Sequence, residues 1–149
     1  MPHLHCCVTI DLGSTTGDVH PPRKLEVGER LAALAAATEY GKQGIPYSGP
    51  TFAAAKIAGD KVMLSFDHAE GLHTKDGAAP VGFELSADGK TYHPATAELK
   101  EGSVLLSSAE VPAPKYVRYA WAVFIKPNLV NKADLPTAPF TAKIKPAAQ

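Results

Sequence analysis

The stretch Gly59-Asp60-Lys61-Val62-Met63-Leu64-Ser65-Phe66 decides the fold: after a Gly-Asp turn, Val62, Leu64 and Phe66 alternate with Lys61, Met63 and Ser65. Successive side chains of a strand point to opposite faces, so a period of two predicts a strand with one buried face. Similar runs follow at short spacing. Ala87-Asp88-Gly89-Lys90 predicts a hairpin turn between strands over residues 82–85 and 91–93, because Asp-Gly tolerates the positive φ of tight hairpins. Glu101-Gly102 separates residues 96–99 from 104–107. Val117, Tyr119, Trp121 and Val123 alternate with Tyr116, Arg118, Ala120 and Ala122 in what reads as the longest strand. Such spacing predicts an antiparallel sandwich-like or barrel-like sheet, ending in a Pro-rich, irregular tail over residues 127–149.

Before residue 45 the pattern differs. Cys7-Val8-Thr9-Ile10-Asp11-Leu12 is β-rich and apolar and predicts a strand buried on both faces. Gly13-Ser14-Thr15-Thr16-Gly17 reads as a loop, and Pro21-Pro22 pre-set the φ of a helix start. A helix is expected from Arg23 to Tyr40, closed by Gly41. Leu25, Gly28, Leu31, Ala32 and Ala35 form its apolar stripe, expected to pack on a sheet, while Glu26, Glu29 and Arg30 read as solvated charges. The expected fold class is therefore α+β: a strand–loop–helix piece over residues 1–45, then an antiparallel β module over 46–149. One βα unit cannot bury both faces of its strand. The unpaired strand should seek another chain, which predicts a homodimer or larger assembly through this N-terminal segment.

Composition narrows the function classes. The 149 residues carry 15 Lys+Arg against 15 Asp+Glu, with 45% hydrophobic residues. A formal charge of +0 without a basic cluster argues against a nucleic-acid partner. No apolar run approaches the ~20 residues that span a bilayer, and Met1 is not followed by a signal-peptide pattern. The adjacent Cys6 and Cys7 cannot bridge without strain, so no disulfide framework is expected.

Asp18-Val19-His20-Pro21 is the informative constellation. It lies between the expected strand and helix, where open α/β sheets bind ligands. A histidine there, two residues from a carboxylate, suits a general base whose tautomer its neighbour fixes. The alternative is a capping Asp18 and a surface His20.

Ordered motifs along the chain add to this. Val8-Thr9-Ile10-Asp11-Leu12-Gly13, Asp18-Val19-His20-Pro21 and Lys24-Leu25-Glu26-Val27-Gly28-Glu29-Arg30-Leu31-Ala32 come first. Tyr47-Ser48-Gly49-Pro50, Leu64-Ser65-Phe66-Asp67-His68-Ala69, Val117-Arg118-Tyr119-Ala120-Trp121-Ala122 and Asn128-Leu129-Val130-Asn131-Lys132 follow. Together, from Val8 to Phe140, they resemble the C-terminal catalytic block of the sialate O-acetylesterase family, serine hydrolases of SGNH type. The resemblance implies that His20 is the catalytic base and Asp18 its orienting carboxylate, acting on esters of O-acetylated sugars, sialic acid above all or acetylated plant polysaccharide, without a cofactor. It also implies that the nucleophilic serine sits in an N-terminal block absent before Met1. Ser14, Ser48, Ser65, Ser86, Ser103, Ser107 and Ser108 show no nucleophile elbow, although Ser14 is near enough in sequence to reach His20. The rival expectation is a non-catalytic β module that binds carbohydrate or supports a catalytic partner.

The remaining candidates read as structural. His3, His5, Cys6 and Cys7 have metal-ligand types, but strand alternation divides them between two faces. His68, His73 and His93 read as structural or solvent-facing. Trp121 is expected in the core beside Tyr119, with sugar stacking as its other possible role.

Overall fold

The computed structural model describes residues 4–14, 20–122 and 125–146. The alternation around Leu64 produces the expected hairpin: β1 (Thr51–Ala58) pairs antiparallel with β2 (Lys61–Asp67) through the two-residue loop Gly59-Asp60. Glycine suits that loop because residue 59 has φ +64°. β3 (His73–Thr74) follows, then β4 (Phe83–Ser86) and β5 (His93–Pro94), joined across the predicted Asp88-Gly89 turn. β6 (Thr96–Lys100) and β7 (Ser103–Ser107) form the next hairpin. Both of its loop residues, Glu101 and Gly102, have positive φ, as a type I′ turn requires.

β8 (Tyr116–Tyr119), β9 (Leu129–Val130) and β10 (Phe140–Lys143) complete two four-stranded sheets, β1-β2-β7-β6 and β10-β8-β4-β5, with a ribbon of β3 and β9. Val62, Leu64, Val104 and Leu106 from the first sheet and Phe83, Leu85, Val117 and Tyr119 from the second are buried in one core, which joins the sheets as a sandwich. Phe140 knits them further: its ring stacks at 4.5 Å on Phe52 of β1 and at 5.8 Å on Tyr119 of β8.

Four expectations change. Residues 4–9 have no regular structure and Ile10 to Leu12 form a turn, with the Leu12 amide donating to the Thr9 carbonyl at 2.9 Å. Without a neighbouring strand the apolar run has no ladder to join, and the edge invoked for assembly is not formed at this segment. The longest strand is shorter than its alternation, because Ala120 turns at φ +53° and its amide donates to the Gly82 carbonyl at 2.8 Å. Its partners β4 and β10 begin at Phe83 and Phe140, both opposite Tyr119, so neither ladder reaches Trp121, which is 55% exposed rather than in the core. The tail is not wholly irregular, since it supplies β9 and β10 between its prolines.

The fourth change concerns α1 (Lys24–Thr38), which matches the predicted helix within two residues at each end. Its expected packing stripe is largely outward: Leu25 is 73% and Leu31 50% exposed, and Leu34 is the buried residue instead. Among the described residues the sandwich core contains none from α1.

Candidate functional site

The helix is held from its other side. Arg30, read from sequence as a solvated charge, grips Asp11 with two charge-assisted hydrogen bonds, Nη1 to Oδ1 at 2.6 Å and Nη2 to Oδ2 at 2.7 Å. Arg30 Nη1 also donates to the Val8 carbonyl at 2.8 Å. Their side chains are only 13% and 17% exposed. Burial works upward on the Asp11 carboxyl, but the hydrogen bonds and charge of Arg30 outweigh it and hold the group below its ordinary value. At the far end of α1, His5 Nε2 lies 2.8 Å from Glu39 Oε1. His5 thus meets residue 39 while Val8 and Asp11 meet residue 30, so the segment runs antiparallel along α1.

Asp11 and Arg30 flank in sequence the loop that bears the predicted acid–base pair. His20 is exposed, on a bend just before Pro21-Pro22 and the start of α1. Asp18 lies outside the described residues. Ser14 lines a small recess of about 120 Å³ with Asp11 and, from the loop after Trp121, Ala122, Ile125 and Lys126.

The other sequence candidates separate. Cys6 is exposed and Cys7 half-buried, both as free thiols, and His5 is engaged with Glu39. Burial pushes the Cys7 thiol upward, against its reacting as a thiolate. His93 Nδ1 meets Glu110 Oε2 at 2.9 Å, and His73 Nε2 lies 3.3 Å from Asp134 Oδ1. Both are surface pairs, as expected of structural histidines.

His68 is placed differently. It is exposed, adopts a left-handed φ of +54°, and sets its imidazole edge-to-face against Tyr47, with ring centroids 5.6 Å apart. The two rings line an open groove of about 470 Å³ with Ser48, Glu70, Asn131 and Lys132. Asn131 is buried and holds the walls together: its Nδ2 donates to the carbonyls of Ser48 and His68, both at 2.9 Å, and its Oδ1 accepts from the amides of Ala133 and Leu135. Sequence reasoning passed over Tyr47 as a site residue because its only signal was membership of a resemblance motif. Its neighbours in space lie 21 and 84 residues away in sequence.

No protein-family model matches the chain, and no curated protein matches it. Among solved structures, a carbohydrate acetylesterase from Xanthomonas citri is similar at a TM-score of 0.83 and 38% identity, over 91% of this chain and 32% of that one. The chain therefore spans about a third of the length of that structure, and within that third it shares the α+β, mostly β fold of a carbohydrate esterase.

Proposed function

We propose that this chain is the histidine-bearing part of a carbohydrate O-acetylesterase of the serine-hydrolase type, with His20 as general base and Asp18 as its orienting carboxylate. The observation that carries the reading is the 38% identity to a carbohydrate acetylesterase over 91% of the chain. Two further features support it. His20 is solvent-accessible at the start of α1, and the Asp11–Arg30 clamp ties down the segment that leads into its loop.

In this mechanism His20 takes the proton from a serine hydroxyl as that oxygen attacks the acetyl carbonyl, and Asp18 stabilises the imidazolium that results. His20 then gives the proton to the departing sugar oxygen. A second cycle activates water to release acetate from the acyl-enzyme. The serine comes either from Ser14, whose recess adjoins Asp11, or from a polypeptide block outside these residues. The sugar is sialic acid or an acetylated plant polysaccharide.

The test is hydrolysis of p-nitrophenyl acetate by the purified chain, beside its His20→Ala variant and a serine-reactive fluorophosphonate probe. Activity that disappears with His20 supports the reading with a serine of this chain, and inactivity of both proteins leaves an accessory module whose serine lies in the outside block. Full activity in the variant overturns the assignment, and labelling of the parent locates the serine.

A further inference from the structure

We propose that the Tyr47–His68 groove, whose lining does not include His20, is a binding site for a neutral oligosaccharide. The carbohydrate class rests on the function proposed above; the site itself rests on geometry. The groove does not end at Tyr47. A second recess of about 380 Å³ shares Pro46, Tyr47 and Ala133 with it and extends to Glu29 on α1. The two recesses adjoin on either side of Tyr47.

Its walls are built rather than incidental. A non-glycine residue in the left-handed region is uncommon and persists where its surroundings dictate it. Here the buried Asn131 amide holds the His68 carbonyl, and the same side chain holds the strand-free segment that carries Tyr47. Gly49, next in that segment, approaches so closely that a Cβ there would sit 2.0 Å from the Pro136 carbonyl oxygen. Tyr47 is nevertheless 38% exposed, a large ring held at the surface by a rigid support. Aromatic rings at such positions bind through an apolar body and a polar tip, which suits a pyranose with C–H groups on its faces and hydroxyls around its edge.

The charges favour a neutral ligand. Lys132 Nζ and Glu70 Oε1 are paired at 2.8 Å on the rim, Arg30 is committed to Asp11, and Glu26 accepts from Arg23 at 2.7 Å. Lys75 shares its wall with the carboxylates of Glu29 and Asp134. Such a lining offers donors and acceptors to hydroxyls without the uncompensated cation that would select a sugar carboxylate.

The experiment is calorimetric titration of the chain with unacetylated xylohexaose, which offers no ester to hydrolyse, and with N-acetylneuraminic acid. Xylohexaose should bind saturably. Tyr47→Ala should weaken it about tenfold, whereas Tyr47→Phe, which keeps the ring, and Trp121→Ala should stay within about threefold. Unchanged affinity in Tyr47→Ala, loss in Trp121→Ala, preference for N-acetylneuraminic acid, or no saturable binding of either sugar overturns the proposal. Binding that persists in a parent without esterase activity leaves the groove standing and removes only the hydrolytic reading.

Discussion

Replacing Asp11 by Ala tests how the N-terminal segment is attached. The change removes both acceptors of the Arg30 fork and leaves a guanidinium that is 13% exposed, still donating to the Val8 carbonyl. Breaking a fully buried ion pair from one side costs ~3–5 kcal/mol. Residual exposure of both partners allows water to reach Arg30, which reduces the expected loss to about 2–3 kcal/mol. For a chain of this length, that corresponds to a fall in Tm of roughly 5–10 °C if the segment and sandwich unfold together. The assay is thermal unfolding by circular dichroism, with hydrogen exchange at the Leu12 amide, which donates to Thr9 in the clamped turn. Should the segment detach alone, the sandwich transition stays put and Leu12 loses protection. The pH dependence has a definite sign: the Asp11 carboxyl is lowered in the fold, so its contribution is complete above the ordinary carboxylate value of about 4 and disappears as pH falls through the lower folded value. A variant with unchanged Tm and unchanged Leu12 protection refutes the claim that this pair anchors the segment to α1.

Other outcomes follow from the sandwich. Leu64→Ala empties a fully buried site between the sheets and should cost about 2–5 kcal/mol in denaturant unfolding; a loss under about 1 kcal/mol contradicts its central position. Asp88 accepts from the amides of Lys90 and Thr91 and from the Ser86 hydroxyl, which hold its carboxyl down at about 2. Carbon-detected NMR titration should find Asp88 still ionised at pH 3, and its stabilisation of the β4–β5 turn should decline below about pH 4 and be gone once pH falls through about 2; titration near 4 contradicts these bonds. Gly49→Ala should lower Tm sharply, because the new methyl group meets Pro136 backbone rather than a movable side chain, and wild-type stability in that variant contradicts the packing.

How much of this was legible in the sequence depends on whether the signal was local. The hairpins at Gly59-Asp60, Asp88-Gly89 and Glu101-Gly102 could be read because turn chemistry and two-residue periodicity act over a few neighbouring residues. The helix could be read because its formers and its stop, Gly41 at φ +63°, are contiguous. β1 was less visible: Thr51-Phe52-Ala53-Ala54-Ala55-Lys56-Ile57-Ala58 is alanine-rich, and its ladder with β2 makes it a strand. Conversely, residues 7–12 have a strand's composition but no ladder, so composition alone did not make a strand.

Contacts distant in the chain were decided by the tertiary structure alone. Arg30 is a half-buried partner because residue 11 folds back beside it, and Trp121 is exposed because the ladders on both sides of β8 end at Tyr119. The groove has the same origin: Tyr47, His68 and Asn131 have no periodic relation, and a single buried amide gathers them. Sequence by itself determined where strands, turns and one helix could form, since those depend on short-range sterics and periodicity. Only the tertiary structure decided which faces were covered, because burial depends on what the rest of the chain brings to each face.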